Sequence, residues 1–176
     1  RSPLRFVHVG TIDLRRINDV EWFVEEPWAR IKSGLKAAEA TFAGGVTVDV
    51  KDSLKRKVKF AGKIADDLDA YRNSRFALNV QRSPGGIKVK SITTMAAGCT
   101  LLSTTEGVQG MQVQHGVHYW NLEKLLEDNA LAAVIADDLR NVEIARRGRA
   151  FVLEQHSLDT VRLKVSTALT ECLQNA

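Results

Sequence analysis

The chain has 176 residues, 44% hydrophobic and 26% charged, which suits one domain with a sizeable core. Only 3 prolines and 12 glycines exclude a collagen-like or low-complexity chain. A formal charge of +4 is too mild for a dedicated nucleic-acid binder, and the aromatic residues are not interleaved with the basic ones as a base-stacking platform requires.

The longest unbroken apolar run, residues 130–136, falls far short of the roughly 20 residues of a membrane-spanning helix. The opening Arg1-Ser2-Pro3 does not lead into the apolar core of a signal peptide. Cys99 and Cys172 lack metal-ligand spacing and read as two buried, reduced side chains, which points to a cytoplasmic setting.

In chain order, the apolar pattern predicts a first strand over 4–9, ending at Gly10. Val20, Phe23, Val24, Trp28, Ile31 and Leu35 then recur with helical period across 18–35. Asn18 and Glu21 have the spacing of a capping box, and Pro27 should kink or split this helix. Short strands are expected at 46–50 and 58–60, a brief helix at 66–73 and a fourth strand at 76–80. A helix over 87–97 follows, capped by Gly98, and then a fifth strand over 100–103. Beyond a loop at 104–120 the pattern is wholly helical, at 121–129, 130–140, 141–156 and 157–172, the last capped by Ser157. Alternating strands and helices predict an α/β, Rossmann-like parallel sheet with helices on both faces and a helical C-terminal end. Ligands of such sheets sit beyond the carboxyl ends of the strands, which selects the loops after residues 9, 60, 80 and 103.

Gly85 and Gly86 open the helix at 87–97. Glycines let a backbone approach a ligand, and free N–H groups with the helix dipole favour an anion such as phosphate. Gly86, Lys90 and Thr93 fall on one face of that helix, while Val89, Ile92 and Ala96 fall on another and should pack on the sheet. A plain glycine turn with two solvated lysines fits the same spacing. Lys57 and Lys59 flank Val58 as in a lysine-protected edge strand. The wider run Lys51, Lys55, Arg56, Lys57, Lys59 and Lys63 also suits an anionic partner or a membrane surface. His115 and His118 lack a third ligand and make a poor zinc site. No G-x-G-x-x-G follows the first strand, which argues against dinucleotide-linked oxidoreduction.

The stretch "SPGGIKVKSITTMAAGCTLLSTTEGVQGM", followed by "HGVHYW" and "IARRGRAFVLEQHS", resembles the nucleotide-sugar-binding half of GT-B glycosyltransferases of the large retaining, group 1 type. Gly85 and Gly86 match that family's glycine turn, Lys88 and Lys90 its basic positions, residues 95–98 its helix end, 101–104 its strand, and Glu106-Gly107 its loop. "FVHVGTIDLRRINDVEWFVEEPW" and "VKFAGKIADDLDAYRNSRFALNVQRS" resemble earlier parts of the same half, so the likeness covers most of the chain. It implies one donor-binding domain over 1–176, one half of a GT-B fold, from the C-terminal portion of a longer protein whose acceptor half lies outside this sequence.

The resemblance also implies transfer of a sugar from a nucleotide diphosphate sugar without metal or other cofactor. Gly85, Gly86 and the amide of Ile87 would cradle the diphosphate. Lys90, with Lys88 or with Arg15 or Arg16 from the first loop, would neutralise charge on the leaving group. Gly62, Lys63 and Ile64 would face the base, Thr93 the ribose, and Glu106 and Gly107 the nucleotide or sugar. The sequence departs from the family at Thr93, where a glutamate usually receives the ribose hydroxyls, and at Gly85, the family's earlier acidic position, where many relatives with a glycine turn also lack the acid. A non-catalytic binding module on the same fold and a nucleotide-sugar epimerase are the alternative readings.

Overall fold

The computed structural model describes residues 4–85 and 88–174. Six parallel strands form one sheet in the order β3-β2-β1-β4-β5-β6. They are β1 (Arg5–Val9), β2 (Glu39–Ala43), β3 (Lys59–Gly62), β4 (Phe76–Asn79), β5 (Thr100–Ser103) and β6 (Trp120–Asn121). Nine helices connect and flank them among the described residues. These are α1 (Ile17–Glu25), α2 (Pro27–Gly34), α3 (Asp52–Lys55), α4 (Asp67–Arg72), α5 (Val89–Ala96), α6 (Leu122–Glu127), α7 (Leu131–Ala136), α8 (Asp138–His156) and α9 (Leu158–Gln174). The α/β class, the parallel sheet and the helical end are those the sequence predicts.

Strand alternation sends Phe6, Phe42, Phe76, Leu78 and Leu102 to one face, where they meet Val20, Phe23, Val24, Trp28 and Ile31. Phe6 stacks on Phe76 with centroids 4.9 Å apart and meets Trp28 edge-on at 5.5 Å. Such aromatic pairs each contribute roughly 0.5–1.5 kcal/mol beyond the area they bury. Val7, Val9 and Ala77 face the other way, toward Tyr71, and Leu101 meets Met95 and Val152. Helices thus cover both faces. Pro27 opens α2 directly after α1 ends, so the predicted split occurs there. Gly98 takes φ +74° and closes α5, with the Cys99 N–H donating to Thr94 O at 3.2 Å. Ser157 Oγ accepts the Thr160 N–H at 3.2 Å and caps α9. Strand β3 is a sheet edge, in keeping with the lysines around Val58.

Several expectations are corrected. Residues 46–50 are not a strand: they pair only through the isolated bridge Ile12–Val46, and Val50 turns into the core. The place beside β1 belongs to β2, whose two alanines gave a weak strand signal. Strand β6 was hidden because it has two residues and runs straight into α6. Asn18 does not cap α1. The Asp13 carboxylate instead accepts the N–H groups of Arg15 (3.0 Å) and Arg16 (3.1 Å), and the helix begins at Ile17 with no side-chain cap. Val89 is 61% exposed. The sheet side of α5 is Ser91 and Thr94, while Ile92 and Ala96 turn toward Val152 and Phe151 of α8. Cys172 is exposed on α9 and only Cys99 is buried.

Candidate functional site

The strand order reverses between β1 and β4, and basic side chains gather beyond the carboxyl ends of these two strands. Gly10 follows β1 with φ +149°. Lys90, in the first turn of α5, lays its side chain over it: a Cβ on Gly10 would stand 2.1 Å from Lys90 Nζ and 2.3 Å from Cε. The turn built on Asp13 delivers Arg16, whose Nη1 donates to Ser83 Oγ at 3.0 Å and to Asp19 Oδ2 at 3.3 Å. Gly85 lies against the same guanidinium, since a Cβ there would be 3.4 Å from Arg16 Nη2. Gly10, Arg16, Gly85 and Lys90, from three separate stretches, thus meet in one place.

Arg16 is paired with Asp19 at 3.3 Å, whereas Lys90 makes no ion pair among the described residues. Burial and then the charge of Arg16 hold the Lys90 ammonium below the usual lysine range, against the opposing pull of Asp13 and Asp19. His8 lies fully buried on β1, its Nδ1 2.9 Å from Leu78 O. Burial and the charges of Lys90 and Arg16 push its pKa down to about 3, so the ring is neutral and its Nδ1 donates to that carbonyl. Asp19, the ion-pair partner of Arg16, is itself buried. It accepts from Arg16 and from the Arg82 backbone N–H, yet burial still raises its pKa. The Arg82 guanidinium stacks over Trp22 at 4.7 Å, tying the loop after β4 to α1.

A buried polar network fixes α5 to the sheet. Asn79 Nδ2 donates to Ser91 Oγ (2.9 Å) and to Gly107 O (3.0 Å), and Ser91 Oγ donates to Gly107 O (2.7 Å). Gly107 leaves no room for a side chain, because its Cβ would fall 2.2 Å from Ser103 Oγ. This network holds the loop after β5 against the helix that carries Lys90.

The remaining expected residues divide. Gly86 and Ile87 lie outside the described residues. Lys88 is only 4% exposed, and its ammonium donates to Gly85 O at 2.7 Å. Thr93 follows Lys90 by three residues on α5 and is half-buried. Arg15 projects into solvent and pairs with Asp13 at 3.4 Å. Glu106 begins a 3-10 turn, and its buried Oε2 has no hydrogen-bond partner among the described residues. Gly62 (φ +70°) ends the edge strand β3 and Lys63 and Ile64 follow it, on the flank beyond β2. Lys63 is exposed there and Ile64 packs beside Tyr71. His115 Nδ1 accepts the Asn121 N–H at 2.9 Å and His118 Nδ1 the Gln114 N–H at 3.0 Å, so both shape the loop before β6. No group of three or more metal-ligating side chains occurs among the described residues. A cavity of about 920 Å³ lies elsewhere, against β2 and β3, and holds none of Gly10, Arg16, Gly85 or Lys90.

Sequence reasoning missed Gly10, His8, Asp19, Ser83, Asn79 and Ser91. Gly10 carried one visible signal, a glycine directly after an apolar strand. The others are single polar residues whose partners are remote in the chain.

The chain resembles several solved structures. HepE of Anabaena, solved with UDP and glucose, has a TM-score of 0.76 at 15% identity, over 97% of this chain and 49% of that one. The C-terminal domain of a group 1 family glycosyl transferase (LpcC) from Francisella tularensis gives 0.70 at 17% identity, over 89% and 88%. Sucrose-phosphate synthase from Thermosynechococcus elongatus gives 0.72 at 15%, over 99% and 46%. The chain thus spans about half the length of HepE and of the synthase, and at these identities the likeness establishes the fold, one half of a GT-B architecture. No curated protein matches the sequence significantly. The family model of the group 1 glycosyl transferases matches residues 3–142, and the chain belongs to that family.

Proposed function

We propose that this chain is the donor-binding half of an enzyme that transfers a sugar from a nucleotide diphosphate sugar to an acceptor. The observation that carries this reading is the meeting of Lys90 and Arg16 over Gly10 and Gly85, at the strand-order reversal, where Arg16 is paired with Asp19 and Lys90 makes no ion pair among the described residues. A diphosphate supplies a counter-charge for the unpaired Lys90 ammonium. Cleavage of the sugar–phosphate bond leaves both electrons on the diphosphate oxygen, and positive groups already in place stabilise it without rearrangement.

In this assignment Lys90 and Arg16 face the diphosphate and take the place of a divalent cation. Lys88 is already bonded to Gly85 O, and the Gly86 and Ile87 amides are assigned to the diphosphate. Thr93 lies beside Lys90 on the side proposed for the ribose. It offers a neutral hydroxyl where the resemblance leads one to expect a carboxylate, and charge-assisted bonds are about twice as strong as neutral ones. Glu106 is the nearest acid in sequence on the loop after β5. The flank at Gly62, Lys63 and Ile64 is assigned to the base. Thr93 also favours a second reading, a nucleotide-binding module without transfer activity.

Calorimetry with UDP, GDP and ADP tests the assignment. At least one nucleotide should bind. Lys90→Ala should weaken it, and Lys57→Ala, on the far edge of the sheet, should not. A folded chain that binds none of the three overturns the proposal, and so do equal effects of the two substitutions.

A further inference from the structure

The loop between β5 and β6 is folded on two histidines. His115 Nδ1 accepts the Asn121 N–H at 2.9 Å, and His118 Nδ1 accepts the Gln114 N–H at 3.0 Å. A ring nitrogen that accepts carries no proton, so both imidazoles are neutral with their proton on Nε2. Each bond closes a short stretch of chain, His115 onto a residue six positions ahead and His118 onto one four positions back. Backbone bonds complete the fold: the Gly116 N–H donates to Tyr119 O and the His118 N–H to Gln114 O, both at 2.9 Å. Both rings are partly exposed, so solvent protons reach them.

Protonation turns the acceptor into a donor. An Nδ1–H would face a backbone N–H, and the bond that shapes the loop is lost. The surroundings oppose the added charge. Burial, then Lys124 of α6 and Arg140 of α8, against the pull of Asp128, hold the His115 ring below its ordinary 6.5. Burial and Arg147 of α8 do the same for His118, and Glu143 pairs with that arginine at 2.6 Å. Aromatic neighbours add no charge: Trp120 lies 5.5 Å and Tyr119 6.4 Å from His115, and Phe151, which also meets His156 at 6.3 Å, lies 4.9 Å from His118. Burial raises the pKa of the Tyr119 phenol, so it stays neutral.

These bonds reach the segment after β5. Asn121, whose N–H is taken by His115, donates its Nδ2 to Thr105 Oγ1 at 3.0 Å. The Thr105 N–H and hydroxyl donate in turn to Glu123 Oε2 at 2.9 and 2.7 Å. Two residues on, Gly107 O is bonded to Asn79 and to Ser91 of α5, the helix that carries Lys90. We propose that His115 and His118 form a proton-operated latch: neutral, they hold the loop of residues 109–119 closed against β6; protonated, they release it, and with it the segment from Thr105 to Gly107. An open ring takes up its proton at the ordinary 6.5 and a closed ring only at lower pH, so closure is full above pH 6.5 and weakens as the pH falls. That the released segment borders nucleotide rests on the donor-binding reading above; the latch itself does not.

The test is amide hydrogen exchange of the full chain at pH 7 and pH 5, read by NMR as protection relative to the intrinsic rate at each pH and without nucleotide, so its outcome is independent of the donor assignment. Protection at Thr105, Gln114 and Asn121 should fall between the two, by up to about 25-fold for each histidine, the ceiling that linkage sets for an open-state pKa of 6.5. Asn places a non-titrating acceptor where Nδ1 stands. His115→Asn combined with His118→Asn should therefore keep protection level across the same pH range. Imidazole ¹⁵N shifts of the natural chain need no variant: both rings should carry their proton on Nε2 at pH 7 and titrate below 6.5. Protection that does not fall in the natural chain, an equal fall in the double variant, or a proton on Nδ1 of both rings at pH 7 overturns the proposal.

Discussion

Gly10→Ala is the most informative single change. The new methyl would stand 2.1 Å from Lys90 Nζ and 2.3 Å from Cε, so the lysine must leave its place over β1. The backbone adds its own penalty, because φ +149° is a conformation that side chains rarely accept, costing about 1–3 kcal/mol. For nucleotide, displacing the ammonium removes a charge-assisted bond of about 1.5–3 kcal/mol, or roughly 10- to 150-fold in Kd. Calorimetry with the tightest-binding nucleotide measures the second effect and urea unfolding the first. Lys90→Ala should reproduce the affinity loss without the backbone penalty. The two changes act through one side chain, so Gly10→Ala with Lys90→Ala should bind no more weakly than Lys90→Ala alone. Natural affinity in Gly10→Ala, or additive losses in the double variant, would refute the geometry assigned to Lys90.

The neutral His8 gives a pH dependence with a definite sign. Its folded pKa of about 3 lies below the unfolded value of 6.5, so the unfolded chain takes up the proton first. Stability is full above pH 6.5 and falls toward pH 3 at up to about 1.4 kcal/mol per pH unit from this group. Urea unfolding at pH 7 and pH 5 should show that loss, and His8→Gln should show a smaller one. Asn79→Ala removes the donor shared by Ser91 and Gly107 and should destabilise the chain by about 1–3 kcal/mol in the same assay. The isolated chain should bind nucleotide but transfer no sugar, and a chelator should leave binding intact; detectable transfer, or binding lost with EDTA, contradicts the assignment.

The sequence by itself determined the class of fold and the place to look. Strict apolar periods are local properties, so the split at Pro27, the cap at Gly98 and strand β5 could all be read from neighbouring residues. The glycine turn and the lysines after it marked α5 in the same way. Where the local signal was weak the reading failed: β2 is carried by alanines, β6 has two residues, and the alternating valines at 46–50 imitate a strand that the sheet does not use. Only the tertiary structure decided which charges meet. Lys88 and Lys90 look equivalent along the chain, yet one bonds back to Gly85 O and the other crosses to Gly10, eighty residues earlier. Arg15 and Arg16 divide likewise, one into solvent and one onto Ser83 and Asp19. Electrostatic interaction depends on distance through space and on burial. Both are set by the parallel crossovers that bring the ends of β1 and β4 side by side.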